Sequence, residues 1–208
     1  LPDTLTSEST DVAEDIPAAP TAETSSPESP ELPAAESGRI IQVYTDVLQL
    51  AIDLQGGDIV ELALPEHLAE LGKTDSPFVL LERNDTRTYV AQSGLIGADG
   101  IDSGGRPTFS TDASRFVLED GEDLLTVDLV YPAESGVKIA KRFTFRRGDY
   151  LVDVDYLVEN GSGERWQANL FGQIKRDSSP APAATGSGGM GLNPFLGAAL
   201  TQPDERFT

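Results

Sequence analysis

The 208-residue chain has 38% hydrophobic content, which is enough for one sizeable domain that needs no covalent staples. It contains no cysteine, which excludes disulfides, thiolate metal sites and a cysteine nucleophile. Its net charge of -20 disfavours binding to nucleic acid and to anionic membrane surfaces, because like charges repel.

Residues 1–38 differ in composition from the rest of the chain. They hold nine acidic residues, six of the 14 prolines, no lysine or arginine and no aromatic residue. Such a segment buries too little apolar surface to offset the entropy of ordering, and proline and like charges keep it extended. We therefore predict a disordered tether over residues 1–38 and one domain over residues 39–208.

The chain starts at Leu1 and has a single methionine, Met190, so we expect it to be a fragment from which any signal or anchor is missing. Its longest apolar run lies within residues 47–52 and falls far short of the roughly 20 residues that span a bilayer. We therefore expect that no part of this chain crosses a membrane.

From residue 39 onward, apolar and polar residues alternate. Leu48, Leu50, Ile52 and Leu54 share one face of a predicted strand over residues 44–54, which Gly56-Gly57 ends. Further strands are predicted over residues 58–64, 78–81, 87–93, 124–131, 139–146, 150–158 and 166–175. Many short strands without a sustained helical period predict an all-β fold, either an antiparallel sandwich or a barrel.

The tripeptide Arg147-Gly148-Asp149 matches the motif that adhesion receptors bind on exposed loops. Alternating strands flank it on both sides, and glycine supplies the positive φ that a tight turn between such strands requires. We therefore predict a hairpin turn and no adhesion ligand.

Other chemical motifs have structural explanations. Residues 186–191 match G-x-G-x-x-G, but they follow a proline-rich stretch instead of a strand, so we predict a loop that binds no cofactor. Asp153 and Asp155 share the polar face of a strand and are predicted to be solvated. The only histidine, His67, is placed on a loop after Pro65. These patterns predict no catalytic residue, no cofactor and no metal site.

Five stretches together resemble the large periplasmic domain of the YidC family, the membrane protein insertases of the Gram-negative inner membrane. Their order and spacing agree over about residues 39–208. The stretches are Tyr44-Thr45-Asp46-Val47-Leu48 with Gly56-Gly57-Asp58, Gln92-Ser93-Gly94-Leu95, Arg147-Gly148-Asp149-Tyr150, Phe171-Gly172-Gln173, and Gly197-Ala198-Ala199 with Pro203-Asp204-Glu205.

The resemblance implies an antiparallel β-supersandwich similar to galactose-mutarotase-like and carbohydrate-binding folds. The family's domain is longer than this chain, so the resemblance also implies that later strands and the membrane-embedded insertase region lie beyond Thr208. It places this portion in the periplasm, with residues 1–38 following a first transmembrane helix. It further implies a protein that is not an enzyme.

The partners that the resemblance implies are SecD and SecF, the accessory subunits of the Sec translocon. Nascent membrane proteins would be bound by the membrane region. The docking surface would begin near residues 193–208, where the same side chains have the alternative of packing against the rest of the domain. The candidate contact residues are Phe195, Leu196, Asp204, Glu205, Arg206 and Phe207.

Two other classes of function are considered beside this one. A carbohydrate- or peptide-binding module would use the sandwich cleft, with Tyr89, Tyr131 or Trp166 as a stacking platform. An epimerase-like enzyme is disfavoured, because one histidine is too few for that chemistry at a sugar ring.

Overall fold

The computed structural model describes residues 39–69, 76–132 and 136–177, and every regular element within these ranges is a β-strand. This confirms the predicted all-β class. The predicted tether over residues 1–38 lies outside the described residues. The strands are β1 (Ile40–Tyr44), β2 (Gln49–Asp53), β3 (Asp58–Leu68), β4 (Pro77–Asn84), β5 (Arg87–Ile96), β6 (Arg115–Val117), β7 (Leu124–Tyr131), β8 (Val137–Arg146), β9 (Val152–Asn160) and β10 (Asn169–Arg176).

The strands form two sheets. The larger has the order β10-β5-β4-β3-β2-β1-β6, and the smaller has the order β7-β8-β9. Neighbouring strands are antiparallel except β1 and β6, which run parallel. β5 also pairs with β3 through Ile59 and Ala91.

The two sheets pack face to face through one large apolar cluster. Alternate residues of β8 are buried, as expected for a strand with one face in a core. This arrangement confirms the predicted antiparallel sandwich, whereas its likeness to mutarotase-like folds stays a prediction. The fully or nearly buried members of the cluster include Ile41, Val43, Leu48, Leu50 and Ile52 from the larger sheet and Val127, Leu129, Phe143 and Phe145 from the smaller one.

The strand predicted over residues 44–54 is shorter in the structure, because Tyr44 is the last residue of β1, a tight turn follows it, and β2 begins only at Gln49. Thr45 Oγ1 accepts a hydrogen bond from the Leu48 N–H at 2.9 Å, and the Thr45 N–H donates to the Leu48 carbonyl at 2.8 Å. Val47 and Leu48 remain buried, so the apolar pattern continues through the turn. The pattern therefore indicated burial correctly but did not show where the chain reverses.

The predicted end of a strand at Pro65 is also wrong, because β3 continues to Leu68 and carries His67 on the strand. Proline has no N–H and would break a regular ladder, but the register between β3 and β4 shifts between Leu64 and Leu68. An irregular pairing at this point accommodates the proline.

The turn predicted at Arg147-Gly148-Asp149 is confirmed. It joins β8 to β9, Gly148 has φ +69°, and the Asp149 N–H donates to the Arg146 carbonyl at 3.1 Å. A residue with a side chain rarely adopts this backbone conformation, so the turn requires its glycine.

Candidate functional site

A charged cluster joins the two sheets, and we define it as Asp58, Asp102, Arg106 and Lys141. Lys141 projects from β8 with only 1% of its surface exposed, Asp58 begins β3, and Asp102 and Arg106 lie between β5 and β6. Burying a charge is costly unless it is paired and hydrogen-bonded. The two acidic side chains of the cluster are balanced in charge by its two basic side chains.

Each carboxylate of the cluster has an arginine partner and a second donor. Arg106 pairs through Nη2 with Asp58 and through Nη1 with Asp102. Gln92 Nε2 donates to Asp58 at 2.6 Å, and the Leu95 N–H donates to Asp102 at 2.8 Å. Neither carboxylate is therefore left as an uncompensated charge.

Lys141 and Arg106 donate to the same two backbone carbonyls. The Gly56 carbonyl accepts from Lys141 Nζ at 3.0 Å and from Arg106 Nη2 at 2.9 Å. The Ser93 carbonyl accepts from the same two groups at 3.3 and 3.1 Å. The lysine thus ties β8 of the smaller sheet to two separate segments of the larger sheet.

Three glycines leave room for the cluster. A Cβ on Gly57, which has φ +60°, would lie 2.8 Å from the Lys141 side chain, and a Cβ on Gly94 would lie 2.5 Å from the Asp102 carboxyl. A Cβ on Gly56 would overlap the Arg106 guanidinium. The stretches Gly56-Gly57-Asp58 and Ser93-Gly94 therefore follow from the need to place charged groups against the backbone.

Phe171 and Gln173 of β10 extend the cluster toward the sheet edge. The Arg106 guanidinium lies 5.7 Å from the centroid of the Phe171 ring, and Gln173 Nε2 donates to Gln92 Oε1 at 2.9 Å. Since Gln92 in turn donates to Asp58, a continuous polar path connects β10 with the cluster.

Burial is the largest cause of the pKa shifts of Lys141, Asp58 and Tyr156. It lowers the pKa of Lys141 to about 8, with Asp58 opposing the change, and it raises the pKa of Asp58 against the effect of its Gln92 hydrogen bond. Burial also raises the pKa of Tyr156 to about 12. A lysine of lowered pKa is a recognised sign of a catalytic site. Here its ammonium group is enclosed and already bonded to two carbonyls, so the cluster holds the sheets together and presents no free nucleophile.

The sequence contains a signal for this cluster, although none of its four members is among the predicted site residues. Lys141 stands in register with the apolar residues Ile139, Phe143 and Phe145, on the buried face of β8. A lysine at such a position is expected to be buried, and a buried lysine requires acidic or carbonyl partners.

A second buried carboxylate, Asp53 at the end of β2, binds two arginines. Arg39 Nε lies 2.8 Å from Oδ1, and Arg83 Nη2 lies 2.8 Å from Oδ2. The Gln55 N–H also donates to Oδ1 at 2.9 Å. Both arginines are about one-third exposed, so this group links strands at the surface of the larger sheet.

The Arg147-Gly148-Asp149 turn uses its polar groups within the chain. The Arg147 guanidinium donates to the carbonyls of Glu119 and Glu122 at 2.7 and 2.8 Å. The Gly148 N–H donates to Asp46 Oδ2 at 2.8 Å. The arginine that an adhesion receptor would bind is therefore already engaged, which agrees with the predicted structural role.

An apolar pocket of about 250 Å³ lies next to this turn, and we call it the leucine pocket. His67 Nε2 and the Tyr150 hydroxyl are 3.1 Å apart at its mouth. The lining residues are Leu48, Leu62, Leu64, His67, Leu80 and Tyr150.

Some of the site residues predicted from the sequence lie within the described residues, and others lie outside them. The candidate contacts at residues 195, 196 and 204–207 lie outside the described residues. Tyr89 is partly buried against the large apolar cluster, and Trp166 is partly buried against a smaller one that contains Leu95. Tyr131 packs against both clusters, with its ring edge-on to Phe109 at 6.2 Å. The use of Tyr89, Tyr131 or Trp166 as a stacking platform stays a prediction.

Asp153, one of the two acids predicted to be solvated, pairs at the surface with Arg146 at 2.6 Å. Across the ranges that the structure covers, no three or more histidine or acidic side chains come together in a way that could hold a metal ion. Within those same ranges no helix could cross a membrane, since all regular elements are strands.

A family model described as the YidC periplasmic domain matches residues 40–208. The chain is 46% identical over its whole length to the membrane protein insertase YidC of Stutzerimonas stutzeri, 44% to that of Pseudomonas fluorescens and 42% to that of Pseudomonas aeruginosa. It covers 36%, 36% and 39% of those relatives, so it spans a little over a third of their length.

These matches confirm the resemblance drawn from the five stretches and the periplasmic location that it implied. They also confirm that the chain is not an enzyme, because the family is one of non-catalytic insertases. The chain therefore belongs to the YidC family, and its residues 40–208 match the periplasmic domain of that family.

Proposed function

We propose that this domain is a scaffold and docking surface within a membrane protein insertase. The observation that carries the proposal is the match of residues 40–208 to the periplasmic domain, together with relatives named as membrane protein insertases. Because the chain covers little more than a third of those relatives, insertion itself would be performed by the remaining part of the protein.

The chemistry of the described residues supports a binding role. The charges between the sheets neutralise one another, and the ammonium group of Lys141 is enclosed. A catalytic site needs an ionisable group that can reach a substrate. The charged cluster instead gives a rigid connection between two sheets, which suits a scaffold.

The proposed partners are the periplasmic parts of SecD and SecF, and the proposed contact segment begins near residue 193. Large apolar side chains with a charged rim are the usual composition of a transient protein interface. Nascent membrane proteins would be bound by the membrane-embedded region. The residues proposed to contact SecD and SecF are Phe195, Leu196, Asp204, Glu205, Arg206 and Phe207.

The test is a binding experiment with immobilised SecD and SecF periplasmic domains and the insertase extended to its natural C-terminus. We expect saturable retention that falls when Phe195 and Phe207 are both replaced by alanine. Leu124→Ala is the matched control, because Leu124 is 52% exposed on β7, in the smaller sheet. Absence of retention at high micromolar concentration would reject the docking role.

A further inference from the structure

The leucine pocket combines a buried floor with exposed walls. Leu48 and Leu62 of the floor belong to the large apolar cluster, whereas Leu80 and Tyr150 of the walls are 44% and 45% exposed. Exposed apolar side chains around a concave surface are typical of binding sites. A ligand could therefore contact the core of the sandwich without unfolding it.

The size of the pocket suits one apolar side chain. Cavities of about 150 Å³ accept a benzene molecule, and sites for whole cofactors or drug-sized molecules begin at roughly 300 Å³. At about 250 Å³ the leucine pocket has room for a leucine, methionine or phenylalanine side chain. A whole cofactor would not fit.

The apolar surface continues from the pocket along β4. Leu64 on β3 pairs directly with Phe78 on β4, so the two side chains share one face of the sheet. Phe78 is 43% exposed, and its partner Leu64 is itself a lining residue of the pocket. An extended peptide with one side chain in the pocket has a second apolar contact at Phe78.

The rim of the pocket is acidic. The Tyr150 hydroxyl lies 3.5 Å from Glu66 Oε2, and partial desolvation together with Glu66 and Asp46 raises the pKa of Tyr150. No lysine or arginine lines the pocket among the described residues. The neighbouring Arg147 guanidinium is held by two backbone carbonyls. A positively charged group is therefore the favoured neighbour of a ligand in this pocket.

We propose that the leucine pocket docks an extended peptide segment of a partner protein in which an apolar side chain stands next to a lysine or arginine. The apolar side chain fills the pocket, and the basic side chain lies against Glu66 and Asp46. The surface uses none of residues 193–208. Peptide binding to the leucine pocket can therefore be absent while docking to SecD and SecF is present, and the reverse also holds.

The proposal is tested by titrating the 208-residue chain into short fluorescein-labelled peptides and measuring fluorescence anisotropy. The probe peptide has alternating leucine and lysine in a serine-rich background. One matched peptide replaces the leucines with serine, and the other replaces the lysines with glutamate. We expect saturable micromolar-to-millimolar binding of the probe alone, weakening as ionic strength rises.

Two variants assign the binding to the pocket. Leu80→Asn should weaken the affinity for the probe peptide about tenfold, because the peptide side chain loses an apolar wall of the pocket. Glu66→Lys should weaken the affinity about two- to fivefold, because it removes an acidic group from the rim. Leu124→Asn and Glu159→Lys are the matched controls, since both positions are exposed outside the pocket, and they should leave the affinity unchanged. Thermal unfolding followed by circular dichroism verifies that each variant is folded.

Several results would overturn the proposal. Equal binding of the glutamate peptide would remove the role of the acidic rim, and unchanged affinity in folded Leu80→Asn would remove the pocket. Concentration-dependent dimerisation of the chain that Leu80→Asn abolishes would assign the surface to a second copy instead. Binding to anionic vesicles with no binding to the probe peptide would assign it to a membrane surface.

Discussion

Replacing Lys141 with methionine should change how the stability of this domain depends on pH. In the native protein the ammonium group is buried, which lowers its pKa from 10.5 to about 8. Below pH 8 the lysine is charged in both the folded and the unfolded chain, and the folded state bears the desolvation cost. Between about pH 8 and 10.5 the unfolded chain binds more protons, so the free energy of unfolding should rise with pH in this window.

The magnitude follows from the two pKa values. Between pH 7 and pH 10 the linkage relation gives a gain of roughly 2–3 kcal/mol for the native lysine and none for methionine. The free energy of unfolding of the native protein should therefore rise with pH relative to that of the variant.

The assay is urea denaturation at several pH values, followed by the fluorescence of Trp166, which packs against the core cluster of Leu95. Tyr156 contributes in the opposite direction, since its pKa is raised to about 12 and its stabilisation is lost as pH rises above 10. Its contribution cancels to first order when the native protein is compared with the variant. A difference that stays constant from pH 7 to pH 10 would refute the burial of a charged lysine between the sheets.

Three further substitutions test other parts of the fold by the same assay. Gly57→Ala should lower the free energy of unfolding by about 2–4 kcal/mol, because φ is +60° and the new methyl group would lie 2.8 Å from the Lys141 side chain. Gly104→Ala is the control and should lower it by less than about 1 kcal/mol, because the space around Gly104 is open. Equal effects of the two substitutions would contradict this account. Asp46→Ala removes the acceptor of the Gly148 N–H and should cost about 1 kcal/mol, and a neutral result would show that the turn is held without it. Asp53→Ala leaves two arginines without their carboxylate and should cost about 3 kcal/mol, with a loss below about 1 kcal/mol as the contrary outcome.

The period-two pattern predicted the strands well where both flanking turns were marked by glycine or proline. The strand over residues 124–131 and the turn at Gly148 are found as predicted. The pattern did not reveal β6, because three residues are too few to show alternation and its partner β1 is distant in sequence. It also placed one strand across the turn at Thr45, since the apolar period is unbroken there while the hydrogen bonds change.

The leucine pocket illustrates a different limit of prediction from sequence. Its residues come from the turn before β2 and from β3, β4 and the segment before β9, and no local pattern joins them. His67 was predicted on a loop, and only the continuation of β3 beyond Pro65 brings it to Tyr150. Long-range pairing therefore decides which side chains form this surface.

Four of the five stretches that carried the family resemblance include described residues, and these meet at two places in the sandwich. Gly56-Gly57-Asp58, Gln92-Ser93-Gly94 and Phe171-Gly172-Gln173 converge on the charged cluster. Asp46 and Gly148, from two other pieces, bond to each other at the hairpin turn. Such sites constrain residue type strongly, because a buried charge needs its partner and a close backbone approach needs glycine.

The resemblance therefore reflects how the two sheets are fastened together, and it carries little information about what the surface binds. An exposed side chain such as Leu80 can change without loss of the fold, so its identity is set by binding or is not constrained at all. The variants at Leu80 and Lys141 are therefore complementary, since the first should change binding in a stable domain and the second should change stability alone.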